Sequence, residues 1–222
     1  MENVLSKDNG GVGVALLMID FQCDFCLSGG YAAQAAGTAW VAPIIPAAQR
    51  LLFHARDKGW LVVHTREGYA PDLSDLDAGK LTKSKKFGAP IGDEGPLGRF
   101  LIRGENGHTI LPELAPLARE MVFDKPSYGA FFGTHIEEVL VDNRITDLVF
   151  AGVTADICVH TTLREAVERG FNCWYVRDAI STFDSEIRRA CEKMVEAEGG
   201  VWGTVTEVDW IRNNEEFPVV CS

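Results

Sequence analysis

Residues 146–170, TDLVFAGVTADICVHTTLREAVERG, constrain the fold more than any other stretch of this chain. The run 148–151 is short, apolar and followed by Gly152, which predicts a buried strand. Over 158–169 the spacing turns helical. Val159, Leu163, Ala166 and Val167 form one stripe, with Arg164, Glu165, Glu168 and Arg169 opposite. Asp156 is a candidate cap for this helix, and Gly170 stops it. Cys158 therefore stands at the first turn of a helix that follows a buried strand. Open α/β sheets bind their ligands at this edge. Free cysteines more often simply pack, so a role as nucleophile requires partners from elsewhere in the chain.

The other predicted elements repeat the same pattern. The apolar run 12–19 (VGVALLMI) reads as a central parallel strand and ends at Asp20. A helix is expected over 41–58, with Ile44, Ile45, Ala48, Leu51, Leu52 and Ala55 as its apolar stripe. Residues 60–64 (WLVVH) give a second strand and 120–123 (EMVF) a third, followed by Asp124, Lys125 and Pro126. Pro126 holds Lys125 in extended geometry. A helix over 135–143 is expected to open with Thr134 and Glu137 as a capping box. A fifth strand covers 172–176 and a sixth 201–205. Helices are expected at 185–198, capped by Asp184 or Ser185, and at 208–213. The prediction is one α/β domain over 1–222: three layers, with a six-stranded, mostly parallel sheet and helices on both faces. Residues 1–11 are expected to be flexible. The Gly/Pro-rich segment 66–112 is expected to line a pocket or form an interface arm. Its lysines 80, 83, 85 and 86 read as a solvated face.

Charge narrows the partners. The formal net charge of −11 argues against a nucleic-acid partner and against an anionic membrane surface, both of which need basic patches. No apolar run is long enough for a membrane span. The polar N-terminus MENVLSKDNGG lacks an apolar signal core, so a cytoplasmic enzyme is expected. Its six cysteines are then thiols. Cys23 and Cys26 form a C-x-x-C, but no second ligand pair of zinc spacing accompanies it.

Asp20, Lys125 and Cys158 converge in this topology, because each lies at or just beyond the carboxyl end of a predicted parallel strand. A thiol, a carboxylate to take its proton and a lysine to stabilise the charges make a coherent nucleophilic set. A carboxylate can act as the base without histidine if an enclosed pocket raises its pKa.

The segments LLMIDFQCDF (16–25), FDKPSYGAFFGT (123–134) and GVTADICVHTTLREAVERGF (152–171) resemble those of the isochorismatase-like cysteine hydrolases. That superfamily includes nicotinamidase, N-carbamoylsarcosine amidase, ureidoacrylate amidohydrolase and biuret hydrolase. The resemblance implies an Asp20–Lys125–Cys158 triad, a cis peptide before Thr154, and an oxyanion hole built from the N–H groups of Thr154 and Cys158. Nicotinamidases carry a D-x-H metal motif near the second strand. Here that region reads HTREGYAPDLSDL (64–76), so no metal and no cofactor is expected. This phrase, with IGDEGPLGRFLIRGENG (91–107), is similar to the biuret and triuret hydrolase branch, while KPSYGAFF is also similar to ureidoacrylate amidohydrolases. Tyr69 and the 128–131 loop depart from biuret hydrolases. The implied reaction is cysteine-dependent cleavage of a C–N bond in a small ureide, biuret or triuret, through a thioester with release of ammonia. The alternatives are a ureidoacrylate or N-carbamoylsarcosine amidohydrolase, or a catalytically silent, interaction-only member. Gln22, Phe25, Arg66, Glu67, Tyr128 and Phe131 are the candidate substrate contacts. A carboxylate-bearing substrate would require Arg66 or a lysine of the 80–86 run to point inward. Family members are commonly dimers or tetramers, so a homo-oligomer is expected.

Overall fold

A computed structural model describes residues 13–214. Val12, the segment 1–11 and Cys221 lie outside the described residues. Six strands form one sheet: β1 Gly13–Ile19, β2 Leu61–Glu67, β3 Met121–Lys125, β4 Ile145–Val153, β5 Asn172–Ser181 and β6 Thr204–Thr206. Their spatial order is β3-β2-β1-β4-β5-β6. Every pairing in it is parallel. This is a doubly wound sheet, and its winding reverses between β1 and β4.

Strand alternation builds two apolar layers. Leu16 and Met18 of β1, with Val149, Ala151 and Trp174, face the helix Ile45–Asp57 and the helix Val208–Asn213. Ala15, Leu17 and Ile19 face the other way, with Leu148, Phe150 and Tyr175. That side is covered by the helices Ile136–Asp142, His160–Val167 and Ser185–Val195. A third, smaller cluster of Tyr69, Ile91, Phe100, Leu101 and Ile102 supports the Gly/Pro-rich segment. Among the described residues no helix is long and apolar enough to cross a membrane.

Several boundaries differ from expectation. Strand β2 runs on to Glu67, so Arg66 and Glu67 are strand residues and the arm begins after them. Strand β5 is longer than expected, and β6 is shorter. The arm contains a helix, Ala78–Phe87, which has no apolar stripe to announce it; Asp77 caps it by accepting from the Lys80 N–H at 3.0 Å. The expected capping box at Thr134 does not form. The helix starts at Ile136, and Glu137 pairs with Arg169 at 2.8 Å instead. Asp184 does cap its helix, accepting from the N–H groups of Glu186 and Ile187.

An ion-paired cluster anchors the amino end of the edge strand β3. Glu120 accepts from Arg56 at 2.7 and 2.9 Å and lies 3.0 Å from His64 Nε2. Burial alone would push its pKa up, but Arg56, the Leu117 N–H and His64 outweigh it and hold the carboxyl at about 2, against an ordinary 4.5. A depressed carboxylate stabilises the fold fully above its unfolded pKa and loses that contribution as pH falls toward its folded pKa. Glu120→Gln is therefore expected to be less stable than the parent at neutral pH. The gap should close as pH is lowered from about 4.5 to about 2. Urea unfolding across that range checks this; a gap independent of pH would refute it.

Candidate active site

Three strand ends meet where the winding reverses. Asp20 follows β1 with φ of 51°, a left-handed conformation that aspartate tolerates better than most residues. Its N–H donates to the Thr65 carbonyl at 3.2 Å, and the Thr65 hydroxyl donates to Asp20 Oδ1 at 2.7 Å. The other oxygen, Oδ2, pairs with Lys125 Nζ at 2.8 Å. Both side chains are fully buried. Lys125, the last residue of β3, stands opposite Glu67, the last residue of β2. Its ammonium also donates to the carbonyls of Ser127 and Tyr128 at 2.8 and 2.9 Å, which curls the 127–131 loop over the site. Burial opposes the charge on Lys125, but Asp20, Cys158 and Glu67 outweigh it and raise the pKa above the ordinary lysine value.

Beyond β4 the chain does not enter an α-helix at once. Ala155–Val159 forms a π turn, and the α-helix begins at His160. Asp156 therefore caps nothing and instead accepts from the Thr182 hydroxyl at 2.6 Å. Gly152 has φ of 146°, and a Cβ there would meet the Ile19 carbonyl oxygen at 2.2 Å. Only glycine lets β4 pass this close to the end of β1. The Val153–Thr154 peptide is cis, as the resemblance implied. The π turn presents Cys158, a residue 5% exposed, whose thiol donates to Glu67 Oε2 at 3.7 Å. Burial raises its pKa well above the ordinary thiol value; Lys125 pulls it down, and Asp20 and Glu67 push it up again. That shift keeps the Cys158 thiol protonated, so position at a helix start does not by itself create a thiolate here.

Glu67 is the hub of the site. Its Oε1 pairs with Lys80 Nζ at 2.8 Å and accepts from the Tyr69 hydroxyl at 3.0 Å. Its Oε2 lies 3.9 Å from Lys125 Nζ. The Lys80 ammonium also lies 4.0 Å from the centre of the Tyr128 ring, at the mouth of the site. Burial, then Glu67, raises the Tyr69 pKa, which keeps its phenol protonated and a donor.

The other proposed contacts are engaged elsewhere. Arg66 precedes Glu67 in the same strand, so it faces the opposite side. It makes a two-pronged pair with Asp124 at 2.7 and 3.0 Å. Gln22 is buried and spends its amide on the backbone of Glu67, accepting from the N–H at 2.8 Å and donating to the carbonyl at 3.0 Å. Phe131 is buried in the core, stacked with Phe171 and covered by Arg169. Phe25 stands edge-on to Phe100 beneath the arm. Sequence reasoning missed Thr65 and Tyr69 as a donor to Glu67, and it named the lysines of the 80–86 run only as a group, without singling out Lys80. The strand position of Thr65 was a usable signal; nothing local distinguished Lys80 from its solvated neighbours.

Asp20, Glu67 and Cys158 offer three donor atoms within 4.8 Å of one another, a geometry that could hold a metal ion. A divalent cation placed there would sit against the Lys125 ammonium, which already neutralises Asp20.

The family model of the isochorismatase domain matches residues 14–207, nearly all of the described chain. The chain belongs to this family. Its relatives place it among hydrolases acting on non-peptide C–N bonds of linear amides. It is 30% identical over 157 residues to the ureidoacrylate amidohydrolase RutB of Yersinia enterocolitica, covering 68% of this chain and 67% of that protein. It is 31% identical over 157 residues to RutB of Serratia proteamaculans, spanning 68% of this chain and 62% of that protein's length. The fold superposes on a crystal structure of an isochorismatase family protein from Desulfovibrio vulgaris with a TM-score of 0.76 and 25% identity, over 91% of this chain and 98% of that one.

Proposed function

We propose that this protein hydrolyses the carbamoyl C–N bond of a small ureido acid of the ureidoacrylate type. The observation that carries the reading is the buried Asp20–Lys125 pair at 2.8 Å, set beside a buried thiol where the sheet reverses. The likeness to two ureidoacrylate amidohydrolases supports the choice of substrate over biuret or triuret. So does the one cation of the 80–86 run that turns inward, Lys80.

In this scheme Asp20 takes the Cys158 proton as sulfur attacks the carbamoyl carbon. Lys125 stabilises the resulting thiolate. The oxyanion is held by the N–H groups of Thr154 and Cys158, and one such donor is worth about 3–4 kcal/mol in other hydrolases. The C–N bond breaks, Asp20 returns the proton to the leaving nitrogen, and a thioester-type acyl-enzyme remains. Water, deprotonated by Asp20, then cleaves the C–S bond and the thiol is restored. One water is consumed per C–N bond, and the carbamate formed breaks down to ammonia and carbon dioxide. Glu67 Oε2 lies 3.7 Å from the Cys158 sulfur. The Glu67 carboxylate is an acceptor for a carbamoyl N–H.

Ammonia release from ureidoacrylate, N-carbamoylsarcosine, biuret, triuret and nicotinamide tests this. Preferred turnover of ureidoacrylate is the expected result. Turnover of biuret or triuret alone would overturn the ureido-acid reading and restore the neutral-ureide one. Silence on all five, with a folded protein, would favour an interaction-only member.

A further inference from the structure

We propose that Lys80 is the residue that selects a carboxylate on the substrate, and that it closes the site onto Glu67 until that carboxylate arrives. The proposal rests on the ureido-acid reading above and names the group that enforces it.

Lys80 is the only buried residue of the helix Ala78–Phe87, with a side chain 9% exposed, on a segment that is otherwise solvated. Ordering and drying a lysine side chain is costly. Glu67 holds it as a counter-charge, since the Tyr69 hydroxyl on the same oxygen is neutral and Lys125, 3.9 Å from the other oxygen, is paired with Asp20. Apart from the ion pair with Glu67, the Lys80 ammonium makes no hydrogen bond among the described residues. An ammonium has three donors, so this one has capacity left over, aimed into the site. It is separated from the nucleophile by a single carboxylate: Lys80 touches Glu67 Oε1 and Cys158 touches Oε2. A short ureido acid spans that gap, with its carbamoyl carbon at Cys158 and its carboxylate at Lys80.

The charges in the pocket fit an exchange. Asp20 and Glu67 are balanced by Lys125 and Lys80. A substrate carboxylate takes up the spare donors of Lys80 and draws its ammonium away from Glu67. Glu67 is then free to accept the carbamoyl N–H. A neutral ureide offers Lys80 only uncharged carbonyl oxygens, weaker acceptors than a carboxylate, and leaves the Lys80–Glu67 pair closed. The face of the Tyr128 ring, 4.0 Å from the ammonium, gives the cation a place to rest while it changes partners.

The test compares kcat/KM for ureidoacrylate, its methyl ester and biuret in the wild-type protein and in Lys80→Met, with Lys80→Arg as the charge-conserving control. Wild-type protein is expected to prefer the acid to the ester by about 100-fold, the scale of a buried charge pair with one partner removed. Lys80→Met should lose that preference, chiefly through KM, with a much smaller loss on biuret than on the acid. Lys80→Arg should keep the preference in part. Equal wild-type rates on acid and ester would overturn the proposal, and the wild-type comparison does not depend on any variant folding. Equal losses on acid and biuret in Lys80→Met would also overturn it, while leaving the ureido-acid reading intact. No wild-type turnover of the acid would overturn both.

Discussion

Cys158→Ser is expected to lower turnover by at least about 1,000-fold, the order seen when the nucleophile of a hydrolytic unit is removed. The reason is in the surroundings of the sulfur. The thiol is held neutral by burial and must lose its proton during attack. A carboxylate can take a proton from a thiol far more readily than from a serine hydroxyl, whose acidity is much weaker, so the Asp20 base that suits sulfur fails with oxygen. The fold and the substrate site should survive, because serine is smaller than cysteine and fits the same buried position without a clash. Binding of ureidoacrylate, followed by calorimetry, is therefore expected to persist while ammonia release stops. A serine variant that retained near-normal rates would show that sulfur is not the nucleophile, and the scheme above would fall.

Lys125→Met carries the second large effect, on stability and activity together. The Lys125 side chain is fully buried, and it neutralises Asp20 and approaches Glu67. Its removal leaves two carboxylates enclosed with only Lys80 as counter-charge. Breaking a buried pair in this way destabilises by about 3–5 kcal/mol. In a chain of this size that is a fall of about 10 °C in Tm. The 127–131 loop should also loosen, since the ammonium is what holds the carbonyls of Ser127 and Tyr128. A thermal scan at neutral pH reads the loss of stability, and ammonia release reads the loss of activity. A variant as stable as wild type at neutral pH would mean that the pair contributes nothing net to the fold.

Much of the candidate site was legible from local pattern. Asp20 closes an unbroken apolar run, Lys125 is held extended by the following proline, and Cys158 follows a strand and a glycine. Those are short-range signals, and the doubly wound sheet brings all three ends to one edge. The contacts around them were less legible. Arg66 and Glu67 are adjacent in sequence and both polar. Which one entered the pocket depended on how far β2 continued and on its register with β3, where Glu67 stands opposite Lys125. The single-residue alternation of a strand turns one inward and sends the other to Asp124. The π turn at Ala155–Val159 was hidden because a π turn and an α turn carry nearly the same apolar spacing.

The sequence by itself determined the class of fold, the order of its elements and the three residues at the strand ends, because apolar periodicity and chain-breaking residues act locally. The tertiary structure alone decided that Glu67 is the hub, that Gln22 and Phe131 serve the scaffold, and that Lys80 turns inward while Lys83, Lys85 and Lys86 stay outside the core. A segment without an apolar stripe has no local preference for which side chain to bury. Its orientation is set by partners far away in sequence, here the carboxylate of Glu67 and the ring of Tyr128.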